Sequence, residues 1–301
     1  MPSLVLQAPT QVANAGLPLL KRDPLLRDDY NGGVRFAFDL AFGWCYGGAS
    51  PFVADAVIKD VAERADGAVR VPAGGGQPTF AGGGIDFSAA TLRNTHLEIP
   101  AAVANTIYNN GQKFLLALYL KLPAAADWVT AAGDWNILAF SSAVNSWQGA
   151  ADMLSLGLAY NSGTPQLFFR RQTAIGTADN QAISGANLVP AQGALAQLAF
   201  WRSNTETGAS IRTVAGGRVT VTPKAAGSDN AQNFASQVGR IGLTPNWSAT
   251  AIDGATSNNQ AGARKMRIYR GWVEALQLSG RDPLTVLEAD WARTIARGVF
   301  S

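Results

Sequence analysis

Apolar and polar residues alternate along much of the chain with the two-residue period of a strand that buries one face. VRFAFDL (34–40) places Val34, Phe36, Phe38 and Leu40 on one side, and MLSLGLAY (153–160) turns Leu154, Leu156, Leu158 and Tyr160 inward. In TLRNTHLEIP (91–100), Thr95, Leu97 and Ile99 face one way, and Asn94, His96 and Glu98 the other. KFLLALYLKLP (113–123) is apolar on both faces, as a central strand covered on each side would be. Further strands are predicted in 57–72 around Asp66-Gly67, and in 82–88, 166–171, 196–202 and 238–243. Two more, 210–214 and 218–222, flank Gly216-Gly217, and 265–278 forms the last, with a kink expected at Gly271.

One segment carries a helical period instead. Asp282 suits the N-cap and Pro283 the first helical position. Leu284, Leu287, Trp291 and Ile295 then line one face, with Gly298 placed to stop the helix. Residues 1–33 lack a core pattern, carry Pro2, Pro9, Pro18 and Pro24, and end in a charged stretch, so they read as an extended arm. The pattern predicts an all-β fold: a two-sheet antiparallel sandwich over 34–301, with that N-terminal arm and a short C-terminal helix over 283–297.

Composition narrows the function. Of 301 residues, 47% are hydrophobic and only 15% charged, with 32 glycines, which suits a β-rich chain with many tight turns. The net charge of +3 is spread thinly, with no basic run, which argues against nucleic acid as a partner. Cys45 is the only cysteine, so it makes neither an internal disulfide nor a metal frame and is expected to be a buried thiol. The start of the chain lacks a basic-then-apolar signal, and no apolar stretch is long enough for a membrane span. Synthesis in a cytoplasm without export is the expectation.

Three stretches, VIKDVAERADGAVRV, GGGIDFSAATLRNTHLEIP and QKFLLALYLKLP, resemble in order the early and central strands of the concanavalin A-like lectin jelly roll in its laminin-G-like version. KMRIYRGWVEALQLSGRDPLTVLEADW is similar to the closing strand and final helix of that fold. The layout of arm, YNGGVRFAFDL, lectin-like body and closing helix also resembles virion proteins of tailed bacteriophages. That resemblance implies a jelly roll at a particle surface, in tail, baseplate or capsid decoration, and location in the virion. It also implies an arm-mediated homo-oligomer, a trimer among the possibilities, docked to other virion proteins. Leu4, Leu6, Leu19, Leu20, Leu25 and Leu26 would supply the arm's contacts.

Candidate chemistry is sparse. Relatives of this fold that cleave glycans use two Glu close together on one strand, and here no two of the five Glu lie within ten residues of each other. Asp86 with Glu98 could converge only through the fold. His96 and Glu98 share a strand face and could move a proton, with Ser88 or Ser141 as nucleophile. The competing reading is the solvent face of a half-buried strand, and no G-x-S-x-G elbow supports a hydrolase. Triple glycines at 74–76 and 82–84 lack the lysine and helix of a phosphate loop. The lectin resemblance makes a structural Ca²⁺ conceivable at 176–181 or 251–260, although no cofactor is expected.

Tryptophan gives the best binding signal. Trp201, Trp272 and Trp291 fall in strand or helix patterns and are assigned to the core. Trp128, Trp135, Trp147 and Trp247 fall in polar contexts, where rings either stack on sugars or pack against protein. The carbohydrate candidates are Trp147, Trp247, Asn246, Asp134 and Trp135. The leading expectation is a non-enzymatic structural protein of a phage particle. A carbohydrate-binding receptor-recognition module for host surface glycan comes second, and a glycosidase third.

Overall fold

The computed structural model describes residues 23–92, 94–128, 133–141, 150–244, 262 and 264–300. One helical turn, α1 (Pro24–Arg27), precedes β1 (Val34–Asp39). Short strands β2 (Ala56–Ile58), β3 (Gly67–Arg70), β4 (Thr79–Ala81) and β5 (Gly84–Asp86) lead to β6 (Thr95–Ile99), helix α2 (Ala101–Asn109) and β7 (Phe114–Lys121). Then come β8 (Gly133–Ser141), β9 (Leu154–Asn161), β10 (Thr164–Ala174), β11 (Thr177–Ser184), β12 (Leu195–Arg202) and β13 (Glu206–Thr213). β14 (Gly217–Thr220), β15 (Lys224–Ala225), β16 (Val238–Leu243) and β17 (Arg267–Ala275) complete the strands, followed by α3 (Leu276–Ser279) and α4 (Pro283–Ile295).

Every pairing between these strands is antiparallel. The larger sheet runs β14-β13-β12-β7-β17-β5-β4, with β1 also on β17 and β15 on β13; the smaller runs β11-β10-β9-β8-β16-β6-β3-β2. Leu116, Leu118, Leu120, Leu198 and Phe200 from the first meet Leu97, Ile99, Leu138, Phe140, Leu156 and Phe169 from the second. This is the expected two-sheet sandwich. Among the described residues no helix is long and apolar enough to cross a membrane.

A second apolar layer lies on the outside of the larger sheet. Leu115, Ala117, Tyr119, Trp201 and Trp272 pack there against Leu287 and Trp291 of α4 and against Leu25. Strand β7 is therefore covered on both sides, which is why its sequence is apolar throughout. Arg35 interrupts the β1–β17 register between Val34 and Phe36, so Val34 joins this outer layer while Phe36 and Phe38 enter the inner core. Val34 thus does not share the face of Phe36, as simple alternation suggested.

Helix α4 begins as expected: the Asp282 side chain accepts from Thr285 N at 2.8 Å, and Pro283 follows. Its buried face is Val286, Leu287, Asp290, Trp291 and Thr294, whereas Leu284 is 36% exposed. The face is rotated from the apolar reading because Asp290 is drawn inward by Arg270 at 2.8 Å and Tyr119 at 2.7 Å. The irregularity in β17 falls between Ile268 and Arg270 rather than at Gly271. Gly271 has another cause: a Cβ there would meet Leu118 Cδ2 at 2.6 Å and Phe38 at 2.9 Å. Several elements escaped the sequence reading, among them the short β4 and β15 and the nine-residue β8 (Gly133–Ser141). Helix α2 buries Val103, Ala104 and Ile107, and β11 occupies the stretch considered as a calcium loop at 176–181.

Of the arm, Leu4, Leu6, Leu19 and Leu20 lie outside the described residues. Its last part is not extended. Asp23 caps α1 by accepting from Leu25 N at 2.9 Å, and Pro24 opens the turn. Leu25 is buried in the outer layer, Leu26 packs beside it, and Asp29 accepts from Gly33 N and Val34 N. Residues 23–33 therefore belong to the sandwich rather than to an arm.

Candidate functional site

The two-residue spacing of His96 and Glu98 on β6 puts both side chains on the outer face of the smaller sheet. Strand pairing adds what the spacing alone could not. His96 stands opposite Arg70 of β3 and Gly242 of β16, and Glu98 stands opposite Ala68 and Arg240. Two arginines from strands distant in sequence thus flank the histidine and the carboxylate. Together with Ala54, Asp55, Val71, Pro72 and Asn94 they line a cavity of about 330 Å³. Small-molecule sites begin at about 300 Å³.

The charges inside balance, but their close contacts are unevenly shared. Arg70 grips Glu98 through Nε at 3.2 Å and Nη2 at 2.6 Å, and its Nη1 also donates to Asp55. With the His96 imidazole and the Arg70 guanidinium beside it, the Glu98 carboxyl is held down to about 2. Arg240 is only 5% exposed, donates Nη1 to Ser141 O at 2.8 Å, and has no carboxylate within ion-pairing distance among the described residues, although Glu98 and Asp152 act on it from farther away. Burial lowers its pKa, against the pull of Glu98.

His96 is 2% exposed, so this strand face is not the solvent face it resembled. Its Nε2 lies 4.0 Å from Glu98 Oε2, beyond hydrogen-bonding distance. Neither imidazole nitrogen, nor Asn94 Oδ1, has a hydrogen-bond partner. Burial lowers the pKa of His96 despite the nearby carboxylate, so the ring is neutral at physiological pH. A buried polar group left without a partner costs about 1–3 kcal/mol. Three such atoms lie beneath the wall of this cavity, out of reach of solvent.

Other candidates do not converge here. Asp86 sits on β5 of the larger sheet, held by Arg267 at 2.9 Å, while Glu98 is on the smaller sheet with its own arginine. Ser141 lies opposite Val238, at the far end of β16 from Gly242, the partner of His96. Ser88 follows β5, its N–H donating to Asp86 at 2.8 Å. No cluster of three or more His, Cys, Asp or Glu suited to a metal occurs among the described residues. A second cavity of about 250 Å³, between α1 and α4, is walled by Leu25, Val286 and Ala289. The charges around it are already committed, Arg293 to Asp28 at 2.7 Å and Arg281 to Glu274 at 2.6 Å.

Of the proposed sugar-stacking residues, Trp147, Trp247 and Asn246 lie outside the described residues. Asp134 stands in β8 opposite Ala159. Trp135 is 3% exposed and part of the inner core, so its ring is not available to a sugar. Its neighbour Asp134 suggested a loop, but β8 pairs through this stretch and points Trp135 inward. Trp128 is likewise buried, donating to Ala159 O at 3.3 Å. Trp44, which no sequence pattern singled out, is 49% exposed and stands 6.2 Å from Phe42.

No protein-family model matches the chain, and no curated protein is similar to it in sequence. Its fold is similar to that of the binding domain of botulinum neurotoxin DC in complex with rat synaptotagmin II, at 12% identity and a TM-score of 0.52 over 87% of this chain. The same toxin domain in complex with SialylT gives 12% identity, a TM-score of 0.50 and 87% coverage. This chain spans about half the length of both, 52% and 51%. Tailspike protein 2 of Escherichia coli O157:H7 bacteriophage CAB120 matches 58% of this chain and 21% of its own at 15% identity. Its TM-score of 0.35 is too low to indicate a shared fold. The two toxin-domain likenesses agree with the lectin-like jelly roll expected from the sequence.

Proposed function

We propose that this chain is a non-enzymatic recognition module of a bacteriophage particle, a lectin-like sandwich at the virion surface that binds a host glycan in the cavity around His96. The observation that carries the reading is the polar cavity over β6, lined by Asp55, Arg70, Asn94, Glu98 and Arg240 beside the buried His96. Sugars offer dense hydroxyl donors and acceptors, which such a lining can meet. Glu98 is neutralised by Arg70 and held out of hydrogen-bonding reach of His96, which favours holding a ligand over moving a proton. The fold agrees, since a toxin domain of similar architecture is described in complex with SialylT. The particle setting rests on the layout of the sequence.

A glycan array probed with the purified chain tests the first half. Retention of defined glycans is expected, and Asn94→Gly, which suits the positive φ of 73° at this position while removing the amide, should weaken it. Failure to retain any glycan would sink the reading. The second half concerns docking to other virion proteins through the N-terminal segment. Removing residues 1–22 should leave thermal stability unchanged and prevent incorporation into particles. Asp23 sets that boundary, because it is ion-paired to Arg270 at 2.6 Å. Normal incorporation of the truncated chain would refute the anchoring role.

A further inference from the structure

We infer that the ligand of the His96 cavity is an acidic saccharide, whose carboxylate pairs with Arg240; this rests on the glycan-binding reading above. The argument is an account of charge partners. Four ionised side chains line the cavity: Arg70, Arg240, Asp55 and Glu98. Arg70 is fully committed, with Nε and Nη2 on Glu98 and Nη1 on Asp55. Both carboxylates are thereby contacted by one guanidinium, although the four charges sum to zero. Arg240 is left over, although it stands directly across from Glu98 in the β6–β16 register. It has a single hydrogen bond, to the Ser141 carbonyl, and most of its five donors remain.

A guanidinium that is 5% exposed is an expensive arrangement when Glu98 and Asp152 act on it only from beyond ion-pairing distance. A carboxylate fits it best, because the planar fork of arginine matches two coplanar oxygens. The neighbours suit the rest of such a molecule. Asp55 and Glu98, on the same wall, can accept from hydroxyl groups. Pro72, Val71 and Ala54 supply an apolar wall for the face of a sugar ring.

The test compares matched ligands on the unmodified full chain, so it does not depend on a variant folding. Oligogalacturonate and a sialylated oligosaccharide are each titrated against their carboxyl-reduced forms by calorimetry. At least one acid should bind about tenfold or more tightly than its reduced partner, with affinity falling as salt rises. Arg240→Gln should abolish that preference, and Arg240→Lys should restore part of it, provided both variants melt cooperatively. Equal binding of acid and reduced forms overturns the inference while leaving glycan binding intact. Affinity that follows a sulfate ester rather than the carboxylate overturns it as well. Absence of binding to either form and to every glycan on the array overturns the parent reading with it.

Discussion

Replacing Arg270 with leucine would leave three aspartates facing one another beneath α4. Arg270 is almost wholly buried and holds Asp23 at 2.6 Å, Asp39 at 3.1 Å and Asp290 at 2.8 Å. These contacts tie α1, β1 and α4 to the outer face of the larger sheet. Removing one member of a buried ion network costs about 3–5 kcal/mol, because the remaining charges lose their compensation. Each aspartate keeps some support here. Asp39 retains Arg297, Asp290 retains the Tyr119 hydroxyl at 2.7 Å, and Asp23 still caps Leu25. The lower end, about 3 kcal/mol, is therefore expected. At roughly 2–4 °C per kcal/mol for a domain of this size, Tm should fall by at least about 6 °C at pH 7.5.

The pH dependence distinguishes an electrostatic loss from a simple packing defect. Burial alone would raise the pKa of Asp23, but Arg270 overcomes this and holds it below its ordinary value. In the wild type this carboxyl contributes stability above pH 4, which is lost as pH falls through its folded pKa. In Arg270→Leu the sign reverses: the crowded carboxylates bind protons more readily when folded, so stability is gained on acidification. The gap between variant and wild type should shrink between pH 7.5 and pH 4.5 in thermal unfolding followed by near-UV circular dichroism. Arg293→Ala provides the control. It removes a partly exposed pair with Asp28 and should move Tm by less than about 2 °C. An Arg270→Leu melting point within 2 °C of wild type at pH 7.5, or a deficit that widens toward acid, would show that the network does not secure α4 as argued.

Glu98, whose carboxyl is held down to about 2 by its neighbours, should contribute stability at neutral pH that is lost as pH falls from 4.5 toward 2. Denaturant titrations should show that slope in the wild type and a flatter one in Glu98→Gln. Gly271→Ala pushes a methyl group into Leu118 and Phe38 and should cost about 1–3 kcal/mol by the same measurement; a neutral result would mean β7 and β17 can separate locally. The Cys45 thiol, pushed up to about 12 by burial, should stay unreactive toward Ellman's reagent in the native protein and react fully in guanidinium. Native-state labelling within minutes would contradict its place in the core.

The legible part of the fold is the part decided by period. Strands β1, β6, β7, β9 and β12 lie where alternation or a doubly apolar run placed them, and the Asp282-Pro283 pair marked the start of α4. What escaped depends on polar residues acting like core residues. Asp290 and Thr294 turn inward because Arg270 and Tyr119 wait beneath them, so the apolar stripe alone misjudged the orientation of α4. Strand β11 is polar along most of its length and was taken for a loop, yet its backbone pairs with β10 from Gln166–Ser184 to the turn. Trp135 lies between polar neighbours but on the inward side of β8, while Trp44 projects from a bend where the inward position falls to Cys45. For the candidate site the division is sharper. Spacing put His96 and Glu98 on one face correctly, but whether that face is wet depends on its cross-strand neighbours. Arg70 and Arg240 come from elements whose pairing with β6 no local pattern encodes. They turn a solvent-like strand face into a cavity in which Arg70 takes both carboxylates in close contact and Arg240 is left with hydrogen-bond donors to spare.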